Sequence, residues 1–203
     1  KIGNIEFQKK QIGICLKSLI EPGFILDTQM NVPPLNRIAD NSIDFVVSFQ
    51  VIEHIQNDEK FVEEIFRVLK KGGKMILTTP NILMSLSKNP WHIREYTPFE
   101  MKEILKTSFI DIDIQGVIGN KKVMDYYNVN KKSVEKIRKW DILNLEENLP
   151  RWILQIPYDI LNRFNRHKLQ DYNEDLVDGV KHTDYSIENV SDKCLDFFCI
   201  ATK

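Results

Sequence analysis

The stretch from Asp40 to Asn81, DNSIDFVVSFQVIEHIQNDEKFVEEIFRVLKKGGKMILTTPN, restricts the fold more than any other part of the chain. Phe45, Val46, Val47, Ser48 and Phe49 form an almost unbroken apolar run, the pattern of a parallel strand covered on both faces. A polar loop with adjacent Glu53 and His54 follows. Asn57 and Asp58 then offer N-caps to a helix whose Phe61, Val62, Ile65, Phe66 and Leu69 recur at helical spacing. Gly72 or Gly73 suits the left-handed position that ends a helix, and Lys74–Thr79 reads as a second buried strand. Strand, helix and strand in so short a span make a βαβ unit with a right-handed crossover. Such units build open α/β sheets.

The 203 residues, 42% hydrophobic and 28% charged, suit one globular domain over 1–203. A net charge of −1 provides no overall field for nucleic acid or an anionic membrane. No apolar run reaches the roughly 18 residues of a membrane span, and no signal-peptide pattern follows Lys1. Cys15, Cys194 and Cys199 are odd in number and not spaced like zinc ligands. They point to reduced thiols in a cytoplasmic protein, and no metal ligand set is assigned. Nothing in the pattern specifies an oligomeric state.

Elsewhere, Phe7–Ile20 carries Ile12, Leu16, Leu19 and Ile20 on a plausible helix face, broken by Glu21-Pro22-Gly23 and followed by a strand over Phe24–Thr28. Thr97-Pro98-Phe99-Glu100 is a capping box with proline at the first helical position, opening a helix that buries Met101, Ile104 and Leu105 and ends near Lys106. Phe109–Gly116 alternates as a half-exposed strand does, and Leu195–Thr202 is the last strand. Between them lies a helical insertion at about 121–169, with helices expected over Lys131–Asn144 and Pro150–Phe164. The pair either forms a lid on a substrate pocket or simply covers the sheet. Gln170–Lys193 is polar and acidic and reads as a loop or flap.

The wording of residues 40–81 resembles the fourth and fifth strands of class I S-adenosylmethionine-dependent methyltransferases, in the type 11 branch that writes DNSFDVV, VIEHI, LKPGG and TPN in this order. The resemblance implies a Rossmann-like α/β sandwich with a helical insertion before an antiparallel last strand. It also implies S-adenosylmethionine as cofactor and methyl transfer, most naturally to oxygen of a small molecule or a sugar or glycan intermediate. In that family a strand ending Leu-Asp leads into a glycine-rich loop. Here Leu26-Asp27 runs into Thr28-Gln29-Met30-Asn31-Val32-Pro33-Pro34, which resembles the end of the third strand, and no G-x-G occurs in the chain. The block carrying the cofactor loop, the second strand and two helices is thus missing after Thr28. Either the block exists in the protein and is skipped in this sequence, or the protein lacks it. Losing it would expose the apolar faces of the sheet, which favours the first alternative.

Ligands of open α/β sheets sit beyond the carboxyl ends of the strands, so residues following Asp27, Ser48 and Thr79 are candidates on topology alone. By resemblance, Asp27 orders the cofactor loop, Asn31 accepts a hydrogen bond from adenine, and Met30 and Val32 touch its ring. Phe49, Gln50 and Val51 line the same pocket. His54 has the intrinsic pKa of a general base for a hydroxyl near neutrality, with Glu53 beside it. Some relatives acting on phenolic hydroxyls use a Glu and a His in this region for metal or proton chemistry. A structural role, with His54 joining loop and helix, is the competing reading. The string W-H-x-R-E-Y-T-P resembles a subset of bacterial members associated with glycan biosynthesis. It makes His92 a second catalytic candidate and Asn81, Arg94 and Tyr96 candidates for acceptor binding, although Trp91 and Tyr96 equally suit packing of that loop. Two rivals remain: a non-catalytic binding module with a degenerate methyltransferase fold, and a nicotinamide-dependent oxidoreductase, which would need the absent G-x-G-x-x-G.

Overall fold

The computed structural model describes residues 15–17, 25–26, 33–139, 149–150, 153–155, 158 and 180–203. Among the described residues there are seven strands: β1 Cys15–Lys17, β2 Ile25–Leu26, β3 Ile43–Phe49, β4 Leu69–Pro80, β5 Asp111–Gly119, β6 Tyr185–Asn189 and β7 Asp196–Thr202. They form one mixed sheet in the order β2-β1-β3-β4-β7-β5-β6. Three helices accompany it, α1 Asp58–Val68, α2 Pro98–Lys106 and α3 Lys121–Arg138. The expected βαβ unit is β3-α1-β4, with its two strands parallel. The last strand, β7, lies between β4 and β5 and runs antiparallel to both.

Pairing register explains the core. Met75 and Ile112 flank Ala201, Leu77 and Ile114 flank Cys199, and Thr79 and Gly116 flank Phe197. These rows share one face because side chains alternate along a strand. Phe61, Val62, Ile65 and Val68 of α1 and Met101, Ile104 and Leu105 of α2 are buried in the same cluster. Fully burying each such side chain contributes about 1.5–3 kcal/mol. At the start of α1 the Asn57 side chain accepts from the Lys60 N–H, and α2 begins with the full Thr97–Glu100 capping box.

A part-buried ion pair steadies the entry to β3. Arg67 Nε donates to Glu64 Oε1 at 3.1 Å and Nη2 to Glu64 Oε2 at 3.0 Å. The same guanidinium donates to the Leu35 and Ile38 carbonyls at 3.0 Å and to the Asp40 carboxylate. Glu64 Oε2 in turn accepts the Leu35 N–H at 2.8 Å. Arg67 thereby holds the Glu64 carboxyl below the usual carboxylate range, against the opposing effect of burial.

Four expectations need correction. Cys15–Lys17 is a strand rather than helix, with Leu16 opposite Val46, because β3 would otherwise present an open edge of unpaired backbone groups. Helix α1 stops at Val68, and Leu69 is already extended. Gly72 does take a left-handed conformation (φ 79°), but within β4, where the register against β3 shifts between Leu69 and Lys74 and the Gly72 N–H donates to the Lys203 carbonyl at 2.8 Å. The insertion's first helix begins at Lys121, ten residues before the expected start, because the Asn120 side chain caps it through the Val123 N–H. Residues 185–189, expected as loop, form the edge strand β6, paired along its length with β5. Most of the expected Pro150–Phe164 helix and the Thr28–Gln29 join lie outside the described residues. None of the described helices is long and apolar enough to cross a membrane.

Candidate active site

Strands β3 and β4 are parallel, so the chain leaves both at the same end of the sheet, and the two exits converge there. After β3, Phe49 is 55% exposed and Gln50 adopts a positive φ of 54°. That turn is pinned by the Gln50 N–H, which donates to the Thr78 carbonyl of β4 at 2.9 Å. Val51 and Ile52 then turn inward and are buried, and a single turn of 3-10 helix spans Ile52–His54.

The loop after β4 is tied onto this turn through one backbone oxygen. The carbonyl of Glu53 accepts the N–H groups of Ile93 and Arg94 at 2.7 and 3.2 Å. His54 Nδ1 meets the Trp91 carbonyl at 2.8 Å, so Nδ1 carries the proton and donates it. The two loops thus bring His54 and His92 together, with ring centroids 4.9 Å apart and planes at 79°. His92 is held on both sides. Asn89 Nδ2 donates to its Nε2 at 2.8 Å, and its Nδ1–H donates to Glu95.

Glu53 is the unusual member. It is fully buried, and Thr79 at the end of β4 donates to its Oε2 at 3.1 Å. Its Oε1 is also buried, has no hydrogen-bond partner, and lies 3.8 Å from His54 Nε2. Burial pushes the Glu53 carboxyl above the usual carboxylate range, outweighing the hydrogen bonds it accepts, and the charge of Asp196 adds to the rise. Asp196, the first residue of β7, is itself pushed up by burial while a hydrogen bond from Gln50 opposes the shift. Glu95 behaves oppositely: burial raises it, but the hydrogen bonds from His92 and Ser85 prevail and leave it below the usual range. Glu53, His54 and His92 place one potential ligand atom each within 4.8 Å of one another. The arrangement can hold a proton or a cation beside the sheet edge where a small molecule would lie.

The other candidates are placed as follows. Asn81 is 1% exposed; its amide N–H groups go to the Asp192 and Cys194 carbonyls and its Oδ1 accepts from the Leu83 N–H. Tyr96 is fully buried and donates to Asp58 Oδ2 at 2.8 Å. Arg94 reaches outward, paired with Asp58 and Glu100 and lying over the Tyr96 ring. Asp27, Met30, Asn31 and Val32 are outside the described residues. Sequence reasoning did not single out Thr79, Glu95 or Asp196. Thr79 and Asp196 are the polar residues at the ends of apolar strands, and that position was the available signal. Cys194 and Cys199 are buried free thiols, and burial pushes Cys199 up to about 12.

Residues 2–77 match the family model described as a methyltransferase domain. A probable S-adenosylmethionine-dependent methyltransferase of Mycolicibacterium smegmatis is 42% identical over 81 residues, which is 37% of this chain and 32% of that protein. A second, from Mycobacterium tuberculosis, is 36% identical over 94 residues, 43% of this chain and 34% of its own length. Among solved structures, a Haemonchus contortus phosphoethanolamine N-methyltransferase in complex with S-adenosyl-L-methionine is similar over 82% of this chain and 34% of its own, with 23% identity and a TM-score of 0.42. The chain matches about a third of the length of these curated relatives. The family match and the two mycobacterial relatives show one thing: over the matched part, the chain is similar to S-adenosylmethionine-dependent methyltransferases.

Proposed function

We propose that the chain catalyses methyl transfer from S-adenosylmethionine to an oxygen of a small molecule or of a sugar or glycan intermediate. The observation that supports this reading best is the Glu53–His54–His92 cluster at the joint exit of β3 and β4, in a chain similar to these methyltransferases over its matched part. The exposed ring of Phe49 and the positive-φ turn at Gln50 suit the cofactor, because a flat apolar face beside the sheet edge can take an adenine. Phe49, Gln50 and Val51 would hold it, together with Asp27, Met30, Asn31 and Val32. When bound, the cofactor supplies the reactive methyl and its leaving group.

The chain's own residues then position an acceptor hydroxyl and remove its proton. The Trp91 carbonyl fixes the Nδ1–H tautomer of His54, so Nε2 is the atom that receives the proton. His92, held by Asn89 and Glu95, borders the same space. Arg94, with its side chain 47% exposed, can meet an anionic acceptor, and Tyr96 and Asn81 hold the acceptor loop in place. Helix α3 restricts access, and its Tyr127 is already tied to that loop through the Met84 carbonyl at 3.0 Å.

Equilibrium binding of S-adenosylmethionine to the full-length protein, then turnover on sugar and phenol panels, tests the reading. Binding with turnover on a hydroxyl acceptor is expected. Binding absent altogether would favour the degenerate module. His54→Ala should lower kcat by about 10²–10⁴-fold with little change in cofactor affinity. An intact kcat in that variant would remove His54 from the mechanism.

A further inference from the structure

We propose that Glu53, His54 and His92 form a binding site for a divalent first-row transition ion of the zinc type. Three independent features point to it. The first is geometric. Their ligand atoms lie within 4.8 Å of one another, with Glu53 Oε1 and His54 Nε2 at 3.8 Å. Metal–ligand bonds of about 2.0–2.1 Å in a tetrahedron put ligand atoms about 3.3 Å apart, so side-chain adjustments of up to about 1.5 Å would bring the three onto one ion. The second is an unmet valence. Glu53 Oε1 is buried with no hydrogen-bond partner, in a residue of 0% exposure, although buried polar atoms are nearly always satisfied. A cation beside it would satisfy it.

The third feature is how the imidazoles are held. His54 donates its Nδ1–H to the Trp91 carbonyl, and His92 donates its Nδ1–H to the Glu95 carboxylate. Metal-ligating histidines are oriented in this way, through the nitrogen that does not bind the metal. His92 Nε2 now accepts the Asn89 amide, which must turn aside when an ion binds. Displacing that neutral amide is easier than displacing Glu95, whose bond to the imidazole is charge-assisted. One carboxylate and two imidazoles suit zinc, cobalt or manganese better than magnesium, which prefers all-oxygen shells. The His54 and His92 side chains are each 15% exposed, which leaves one side of the site open to a further ligand.

The use of such a site rests on the proposed methyl transfer. A hydroxyl bound to the cation would lose its proton to solvent water more readily than a free one, and His54 Nε2 would then hold the ion and not the proton. Binding itself can be tested without that reading. Full-length protein stripped with chelator is titrated with Co2+ by visible absorption and with Zn2+ by calorimetry. S-adenosylmethionine binding is measured on the same preparation. One saturable ion per chain is expected, with affinity falling about 10–100-fold in His92→Gln, the size seen when a metal shell is disturbed. Glu53→Gln should lose the ion as well, and millimolar Mg2+ should not displace Co2+. If Glu53→Gln fails to fold by circular dichroism, the variant of the less deeply buried His92 decides. No saturable binding, or unchanged binding in folded His92→Gln, overturns the site. Displacement of Co2+ by Mg2+ overturns the choice of ion. Cofactor binding without metal binding refutes the site alone, and metal binding without cofactor binding refutes methyl transfer and leaves the site standing.

Discussion

Replacing Arg67 by alanine tests how the entry to β3 is held. Arg67 is 29% exposed and Glu64 only 7% exposed at the side chain. The guanidinium makes two bonds to Glu64, one each to the Leu35 and Ile38 carbonyls, and one to Asp40. In Arg67→Ala, Glu64 keeps the Leu35 N–H at 2.8 Å and a more distant Lys60 at 3.7 Å, but loses its close cation. Removing one member of a buried pair costs about 3–5 kcal/mol. Water reaching the part-exposed Arg67 side reduces this, so about 2–4 kcal/mol is expected. With a urea slope of about 2 kcal/mol/M, the unfolding midpoint should fall by about 1–2 M. Arg67→Lys should recover part of the loss, because the charge returns without the two-pronged geometry.

The same pair sets an acid limb of stability. Glu64 has a folded pKa below its unfolded value, chiefly because of the Arg67 hydrogen bonds. Its contribution is therefore present above the unfolded value of 4.5 and is lost as pH falls through the lower folded value. Glu64→Gln keeps an acceptor for the Leu35 N–H but not the charge, and should cost about 1–2 kcal/mol at pH 7. The gap between wild type and Glu64→Gln should narrow steadily as the buffer is taken below pH 4.5. A midpoint change under about 0.3 M in Arg67→Ala, or a gap that widens in acid, would refute the reasoning.

Three further substitutions separate site from scaffold. Phe49→Ala removes a ring that is 55% exposed, so stability should stay within about 0.5 kcal/mol while S-adenosylmethionine affinity in calorimetry falls about tenfold, the burial energy of the exposed part of the ring. Tyr96→Phe leaves Asp58 Oδ2 with only Arg94, at 3.3 Å, while Oδ1 keeps the Glu59 N–H, and should lower stability in urea by about 1–2 kcal/mol. Gly116→Ala would put a methyl 2.6 Å from the Cys194 Cβ, between β5 and the turn into β7; overpacking of about 1–3 kcal/mol should appear as a lower Tm, and an unchanged Tm would show that the turn yields freely.

Local chemistry is written in the sequence, and so were the elements that depend on it. The run Phe45–Phe49, the Asn57 cap and the Thr97–Glu100 box each act within a few residues, so β3, α1 and α2 lie where spacing and capping put them. Adjacent Glu53 and His54 on a loop beyond a strand marked a candidate place for chemistry, and the structure puts them on that loop. What spacing could not convey is pairing across the chain. Cys15–Lys17 sits in a stretch whose apolar spacing suits a helix yet becomes a strand because β3 offers it an edge, and Tyr185–Asn189 becomes one because β5 does. The burial of Glu53 likewise depends on distant residues, since Thr79 and the loop from Trp91 to Arg94 close over it only once β3 and β4 are side by side. His54 and His92 stand 38 positions apart in the chain, and only the two hydrogen bonds to the Glu53 carbonyl and the one to the Trp91 carbonyl bring their rings into contact. An isolated stretch of chain has no term for such contacts; they exist only after loop closure has been offset by sheet pairing and core burial.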